Sequence, residues 1–210
     1  MAIMGGRAKS HAVICLTIMQ GRIYISSAFT NLKYVKCKPN KDWLDNDPHF
    51  WNSPPTWGIC RTDFRKMLDK DDYIFYVLPK KTEFPQMIYG YIKVVESIPH
   101  VEAYERFPQK RMKNKNPNGN IIVDENGNYN RFDNEDHKER FEQIKNYYVV
   151  GDKNNSKFLK PEEIIKLSKT FLSTLQKVFN SNATDIFSII GRKGRILDEQ
   201  QIIFLLKWLN

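Results

Sequence analysis

The stretch from Thr56 to Ser97 constrains the fold more than any other part of this 210-residue sequence. Within it, Tyr73–Leu78 is apolar throughout, which is typical of a buried strand. Met87–Glu96 is the next predicted strand, and the short loop between the two predicts that they pair in antiparallel fashion. Gly90 lies inside the second strand, where a glycine marks a bulge or the close approach of another group. This pattern is typical of a small curved β-barrel.

The segments around this pair of strands predict the rest of the barrel. Further strands are expected at Arg22–Ser27, at Trp57–Cys60 and at Tyr147–Val150, each of which is rich in β-branched or aromatic residues. Thr62 is a suitable N-terminal cap for a short helix that follows the second of these strands. Residues 106–136 are basic and rich in turn residues, and are interpreted as an insertion on the barrel.

Two helices are expected near the C-terminus. Pro161 suits the first turn of a helix, and apolar residues recur behind it at helical spacing. Asp198 and Gln201 have the spacing of a capping box at the start of a last helix. The chain is therefore predicted to form one α+β domain over its full length. Beside its barrel core, that domain has an N-terminal extension at 1–18, the basic insertion at 106–136 and C-terminal helices at 160–210.

Composition narrows the class of protein. The three cysteines include no C-x-x-C pair and the four histidines lack metal-ligand spacing, so neither a disulfide framework nor a zinc site is indicated. No cofactor is indicated either. No apolar run is long enough to cross a membrane, and residues 12–19 favour a strand over a signal peptide because no cleavage site follows them. The simplest expectation is a reduced, cytoplasmic protein.

The charge of the chain favours an anionic partner. Lysine and arginine total 33 against 24 for aspartate and glutamate, which gives a formal net charge of +9. Nucleic acid is the most common partner of so basic a chain, although a lysine- and asparagine-rich proteome would give the same excess. The candidates for contacts to a phosphate backbone are Lys110, Arg111, Lys113, Lys115, Arg192, Lys193 and Arg195. Their alternative role is that of ordinary solvated charge.

Aromatic and polar residues at predicted strand ends are candidates for a ligand pocket. Tryptophans near a proline-rich loop can stack on a base, but each can equally plug the end of a barrel. Arg61 can clamp a phosphate, or form an ion pair with Asp63 or Asp72. The candidate ligand-binding residues are Ser26, Ser27, Trp51, Trp57, Cys60, Arg61, Tyr89, Asp152, Ser156 and Lys157. No catalytic residue and no metal ligand is predicted, and Cys60 is more simply a small buried residue than a nucleophile.

Several segments together resemble a known group of families. The matching features are the W-G-I-C-R strand, the helix before D-D-Y-I-F-Y-V, the I-Y-G-Y-I-K-V strand, the Y-Y-V-V-G-D…S-K-F-L segment and the C-terminal G-R-K-G-R-I-L-D-E-Q-Q. They are similar to the nucleotide-modification-associated domain families and, more broadly, to PUA-like barrels such as EVE, YTH and ASCH domains. The resemblance implies a small barrel with a pocket at one mouth, near Ser26, Trp57, Arg61 and Tyr89.

On these grounds the sequence predicts a protein that binds nucleic acid or a nucleotide through the barrel-mouth pocket. The resemblance implies recognition of a modified base, in a phage or bacterial defence or an RNA-modification context. One alternative is a metal-dependent nucleotide-processing enzyme or nuclease, which would need a cluster of buried carboxylates that the sequence does not display. A further alternative is a protein–protein adaptor in a defence or anti-defence pair, which would expose an apolar patch on the last helix.

Overall fold

A computed structural model describes residues 19–26, 34–35, 38–39, 47–50, 53–80, 84–113 and 119–210. The strands in these ranges are β1 (Gly21–Ile25), β2 (Tyr34–Val35), β3 (Lys38–Pro39), β4 (Thr56–Trp57), β5 (Tyr73–Val77), β6 (Ile88–Ile98), β7 (Tyr148–Gly151), β8 (Lys157–Phe158) and β9 (Arg195–Leu197). The helices are α1 (Thr62–Arg65), α2 (His100–Arg106), α3 (Glu135–Lys138), α4 (Phe141–Ile144), α5 (Pro161–Phe179), α6 (Ile186–Ile190) and α7 (Glu199–Leu209), with a 3₁₀ turn at Pro108–Lys110. The fold is of the α+β class, as the sequence predicts. The N-terminal extension predicted at 1–18 lies outside the described residues.

The main sheet has the strand order β4-β7-β6-β5-β1-β9, and β8 pairs with β6. β5 and β6 are adjacent and antiparallel, which confirms the prediction from their sequences. β1 lies parallel to β5, and β9 runs antiparallel to β1. Within the described ranges the order ends at β4 and β9, and these two strands do not pair with each other. The expected barrel is therefore corrected to an open sheet, because closure requires a partner for every strand edge.

The sheet nevertheless curves strongly enough for distant strands to face each other. β4 and β1 are separated by three strands in the sheet order, yet Trp57 of β4 stacks on Tyr24 of β1 with ring centroids 5.5 Å apart. A bulge between β5 and β6 next to Tyr76 contributes to this curvature. Gly90 lies opposite Tyr76, and a β-carbon there would be 2.8 Å from the Phe50 ring. Both expectations for this glycine, a bulge and a close approach, are therefore confirmed.

The C-terminal helices cover one face of the sheet. Side chains alternate between the two faces of a strand, so Phe75 of β5 and its neighbour Ile23 of β1 point away from the face that carries Tyr76. The last helix lies on the Phe75 face, since a β-carbon at Gly21 would be 3.0 Å from the Ile202 side chain. α5 and α6 contact each other, and α5 contacts α7. In the part of the chain that is described, no helix is both long and apolar enough to cross a membrane.

The helix ends agree with the sequence patterns at α7 but not at α1. Asp198 caps α7, and the side chain of Gln201 reaches back to the backbone of Asp198, which confirms the predicted capping box. At α1, Thr62 is the first helical residue and the capping position is taken by Arg61, whose backbone is left-handed at φ 52°. The predicted cap is corrected because the Thr62 hydroxyl accepts a hydrogen bond from the Arg65 guanidinium at 3.1 Å instead.

Candidate functional site

Four aromatic side chains meet inside the curve of the sheet, one from each of β1, β4, β5 and β6. This aromatic cluster consists of Tyr24, Trp57, Tyr76 and Tyr89. Trp57 stacks on Tyr24 and meets Tyr76 edge-on, in both cases with ring centroids 5.5 Å apart. Tyr89 lies 5.9 Å from Tyr76. Trp57 is 0% exposed, so its ring has the packing role that the sequence left open, and it presents no free face at the surface.

Some polar atoms in and beside the cluster are buried without a hydrogen-bond partner. Within the described ranges these include Nε1 of Trp57, the hydroxyl of Tyr76 and Nη1 of Arg65. All three side chains are completely buried. Burial raises the pKa of Tyr76 well above its ordinary value; burial raises the pKa of Tyr24 in the same way, and an interaction with Ser26 opposes that shift. Native structures leave few buried polar groups unpaired, so these atoms differ from the usual pattern.

Arg65 places a positive charge beside the cluster. Its Nε donates to the carbonyl of Cys60 at 2.9 Å, and its Nη2 donates to the carbonyl of Ile59 at 2.9 Å. Burial lowers the pKa of Arg65 to about 10, and the nearby charge of Asp47 opposes this shift. The guanidinium therefore stays charged at neutral pH, and its charge also acts on the hydroxyl of Tyr76.

A second buried group, the polar network, meets the aromatic cluster at Thr56, the residue before Trp57. It consists of Asp47, Thr56, His100, Asn120 and Tyr148. The Tyr148 hydroxyl donates to Oδ1 of Asn120 at 2.7 Å. Nδ2 of Asn120 donates to Oγ1 of Thr56 at 3.1 Å and to Oδ1 of Asp47 at 3.3 Å. Every side chain of the network therefore has a hydrogen-bond partner, as is usual for buried polar groups.

Asp47 holds the backbone that leads from the cluster towards the surface. Its carboxylate accepts hydrogen bonds from the N–H groups of Gly58 at 2.6 Å and of Ile59 at 2.9 Å, and from that of half-buried Cys60. Burial raises the pKa of Asp47, while the charge of Arg65 and these N–H groups oppose the shift. The segment after Trp57 is thereby fixed from within the protein.

His100 holds the same segment from its other side. Its Nε2 lies 2.9 Å from the carbonyl of Gly58, and its Nδ1 accepts the N–H of Ile122 at 3.2 Å. Nε2 must therefore carry the proton that is donated to Gly58, and the ring is neutral. Burial lowers the pKa of His100 to about 3, so the ring stays neutral at physiological pH.

Arg61 links the aromatic cluster to a basic surface. Its guanidinium lies 3.6 Å from the centre of the Phe64 ring and 5.3 Å from that of Tyr24. It forms an ion pair with Asp63 at 2.7 Å and donates to the backbone carbonyl of Lys193 at 2.8 Å. The ion pair with Asp63 that the sequence offered as an alternative is confirmed, and a phosphate contact by Arg61 stays a prediction.

Residues 191–195 form the basic loop, and it is seated directly against the aromatic cluster. Gly194 has a φ of +75°, and a β-carbon there would lie 2.6 Å from the carbonyl oxygen of Ile23 and 2.7 Å from the β-carbon of Tyr24. Only glycine fits so close to β1 with that backbone conformation. Arg192 and Lys193 are exposed on the loop. The structure therefore brings this predicted basic segment, Arg61 and Trp57 into one region.

Three other predicted ligand residues lie away from the aromatic cluster. Lys157 is opposite Tyr91 in β6, on the helix-covered face, and together with Ser156 it borders a cleft of about 370 Å³. Lys157 forms an ion pair with Glu163 at 2.9 Å. The carboxylate of Asp152 accepts hydrogen bonds within its own turn, and these lower its pKa. The prediction grouped these three residues with Trp57, and the sheet separates them from it.

One basic side chain of the insertion lies in the interior of the protein. Lys110 is 0% exposed, and its Nζ lies 3.1 Å from Nδ1 of His49. Burial lowers the pKa of Lys110 to about 7. Arg111 lies 3.9 Å over the Tyr104 ring and donates to the carbonyl of that residue at 2.8 Å, whereas Lys113 is exposed. The predicted phosphate contact is corrected for Lys110, because its amine is in the interior.

The remaining predicted residues are placed as follows. Ser26 is buried at the end of β1, where its N–H donates to the carbonyl of Val77 at 2.9 Å. Arg195 is exposed and its guanidinium lies 4.3 Å over the Phe179 ring. The predictions for Ser27, Trp51 and Lys115 lie outside the described residues.

Sequence reasoning missed several residues that build this region. Tyr24 and Tyr76 carried a usable signal, since a tyrosine within a buried strand usually needs a partner for its hydroxyl. Asp47 and Arg65 carried none that stands out, because an aspartate before a proline and an arginine on a short helix are ordinary surface patterns. Their pairing depends on contacts that the linear sequence does not display.

Two observations bear on the alternative functions, an enzyme that uses a metal ion and a protein–protein adaptor. Among the residues that the structure describes, no group of three or more histidine, cysteine, aspartate or glutamate side chains is placed to hold a metal ion. On α7, Phe204 is 44% exposed. A single exposed phenylalanine is common on protein surfaces and does not define a patch.

No protein-family model matches this sequence, and no curated protein matches it. Among solved structures, a crystal structure of human THYN1 protein in complex with DNA containing 5-methylcytosine is similar to this chain, at 14% sequence identity and a TM-score of 0.38. The match covers 91% of this chain and 98% of that chain. This similarity is too low to carry an argument, and the α+β class rests on the strands and helices described above.

Proposed function

We propose that this protein binds a nucleic acid or a nucleotide, with a phosphate at the basic loop and a base at the edge of the aromatic cluster, where half-buried Arg61 lies over Tyr24. The observation that carries the proposal is the position of that loop beside Tyr24, where Arg61 connects it to the cluster. Aromatic side chains bind bases with little regard to sequence, and exposed lysines and arginines bind the phosphate backbone. Arg192 and Lys193 are the phosphate-binding residues in this proposal.

A modified base is the finer part of the proposal. Beyond the cluster itself, Phe50 lies 6.4 Å from Tyr89 and 5.4 Å from Phe158, so the surroundings of the cluster are apolar as well as aromatic. Apolar walls favour a base that carries an added methyl group, because burial of the methyl group removes apolar surface from water. This part also accords with the families that the sequence resembles.

The proposal is tested by removing the charge of the basic loop. The variant Arg192→Gln/Lys193→Gln is titrated with fluorescently labelled single-stranded and duplex oligonucleotides over a series of salt concentrations. Binding of each phosphate releases counterions, so the slope of log K against log salt should fall by about 0.7–0.9 for each phosphate that the variant no longer neutralises. Oligonucleotides that are identical except for the modification of one base test the preference for a modified base.

The matched control is Lys166→Gln/Lys169→Gln, which removes the same charge from exposed positions on α5. This variant should keep the wild-type slope, because α5 lies on the helix-covered side of the sheet. Equal slopes for the two variants would contradict the assignment of the phosphate to the basic loop. An absence of binding by the wild-type protein to every oligonucleotide and mononucleotide would overturn the proposal.

A further inference from the structure

A cleft of about 340 Å³ lies beside Arg61, between α1 and the segment that joins α4 to β7. Its lining supplies an aromatic ring, two amides, a hydroxyl, an ammonium and a carboxylate, from Tyr147, Gln143, Asn146, Thr62, Lys66 and Asp63. Sites for small ligands have volumes of about 300–1,000 Å³ and combine apolar surface with a few polar groups. The cleft has the size and the chemistry of such a site.

A single nitrogen atom of Arg61 joins this cleft to the basic loop. Nη2 of Arg61 donates to the carboxylate of Asp63, in the wall of the cleft, at 2.7 Å. The same atom donates to the carbonyl of Lys193, in the basic loop, at 2.8 Å. The cleft wall and the loop are therefore separated by a distance on the order of one nucleotide step, which is about 3.4 Å along a stacked strand.

The charges on the two sides of Arg61 differ. Residues 191–195 include three basic side chains and no acidic one. The cleft instead has one ammonium, from Lys66, and one carboxylate, from Asp63, both exposed. Hydrogen bonds from Arg61 lower the pKa of Asp63, so that carboxylate is ionised at neutral pH. A phosphate therefore favours the loop, and an uncharged base is the part of a nucleotide that suits the cleft.

The side chains from the α4–β7 segment are of the types that recognise bases. Tyr147 is half-buried, and an aromatic ring is a surface on which any base can stack. Gln143 and Asn146 are exposed, and their amides both donate and accept hydrogen bonds, as the edge of a base requires. A base can enter such a cleft only when it is unpaired, because extrusion from a duplex costs the free energy of stacking and pairing.

We infer that the cleft holds the base of the nucleotide next to the one whose phosphate is on the basic loop. The protein therefore selects single-stranded nucleic acid of at least two nucleotides. Tyr147 is the stacking surface, and the amides of Gln143 and Asn146 bind the edge of the base. This inference rests on the proposed function, because it extends the same site by one nucleotide.

The test separates the second base from the second phosphate. The ligands are a 5′-phosphorylated dinucleotide of adenine, in the deoxyribose and ribose forms, and two abasic analogues that each lack one base and keep both phosphates. In isothermal titration of the whole protein, each analogue should bind about 5- to 150-fold more weakly than the complete dinucleotide, which is the loss expected for one stacked base. A labelled oligonucleotide should also bind more tightly alone than annealed to its complement.

Variants of the cleft assign the second base to it. Tyr147→Ala should bind the complete dinucleotide about 5- to 150-fold more weakly and should no longer distinguish it from one of the abasic analogues. Tyr147→Phe keeps the ring and should bind as the wild type does. Gln143→Ala, at an exposed position, should weaken binding several-fold and keeps the inference testable if Tyr147→Ala fails to fold. Phe204→Ala is the matched control, because it removes an exposed aromatic ring from α7.

Three results would overturn the inference and leave the proposed function standing. They are an abasic analogue that binds as tightly as the complete dinucleotide, a duplex that binds as tightly as the single strand, and wild-type affinity of folded Tyr147→Ala for the dinucleotide. If Tyr147→Ala does not fold, wild-type affinity of Gln143→Ala takes the place of the third result. A wild-type protein that binds no nucleotide and no oligonucleotide would overturn both the inference and the proposed function.

Discussion

The aromatic cluster and the polar network meet at the neighbouring residues Thr56 and Trp57 and are equally buried. The polar atoms of the network have hydrogen-bond partners, whereas some of those at the cluster have none among the described residues. In the network, the hydroxyl of Tyr148 donates to Asn120, and Asp47 accepts backbone N–H groups. Beside the cluster, the hydroxyl of Tyr76 and the N–H of Trp57 have no partner among the described residues. The comparison therefore separates a paired group that stabilises the fold from a group whose unpaired polar atoms cost stability.

The largest expected effect concerns His100 in the polar network. Burial lowers its pKa to about 3, below the ordinary value of 6.5 that applies in the unfolded chain. Between these values the unfolded chain holds one more proton at this residue, so the free energy of unfolding falls as the pH falls through this window. The decrease is on the order of 5 kcal/mol. Urea denaturation of wild type and His100→Gln across the window isolates this contribution, and a constant difference between the two would contradict it.

The next effect concerns Asp47, which anchors the network to the backbone after Trp57. Asp47→Ala should lower the free energy of unfolding by about 3–5 kcal/mol, because it leaves buried N–H groups unpaired and removes the charge nearest to Arg65. Asp69→Ala is the control, since Asp69 is exposed and its removal should change stability by less than about 0.5 kcal/mol. Equal unfolding midpoints for the two variants would show that the carboxylate contributes no net stability.

The smallest effect gives the most direct comparison of the two groups, because each contains a buried tyrosine. Tyr148→Phe should cost about 1–3 kcal/mol, since it leaves the amide oxygen of Asn120 with a weaker set of partners. Tyr76→Phe should change stability by less than about 0.5 kcal/mol, because it removes a hydroxyl that has no described partner. Thermal and urea denaturation measure both. If Tyr76→Phe were as costly as Tyr148→Phe, its hydroxyl would have a structural partner and the comparison would fail.

Local patterns in the sequence were enough to predict several elements. The antiparallel pairing of β5 and β6 follows from two apolar segments and a short loop, and the capping box of α7 follows from the spacing of Asp198 and Gln201. The bulge at Gly90 also belongs to this group. Each of these features depends on residues that are close in sequence, where periodicity and turn chemistry carry the signal.

The site could not be predicted to the same extent, because long-range contacts decide it. The polar network joins residues as far apart as Asp47 and Tyr148 through the amide of Asn120. The burial of Lys110 is equally invisible in a run of basic residues, which is more often solvated. Trp57 and Arg61 were selected by residue type, but only the fold shows that the first is buried and that the second reaches the basic loop.

The place of β1 in the sheet also sets when its two edges are paired during synthesis. β1 pairs on one side with β5 and on the other with β9, so the Gly21 position is matched first to Tyr73 and then to Leu197. Ribosomes add about 5–20 residues each second, so the second edge of β1 waits for about 10–35 s after that strand is made. During this interval an apolar strand has an unpaired edge, which is a site for association with other chains. α7 follows β9 at once and covers Gly21 with Ile202, so the second edge and one face of β1 are closed together.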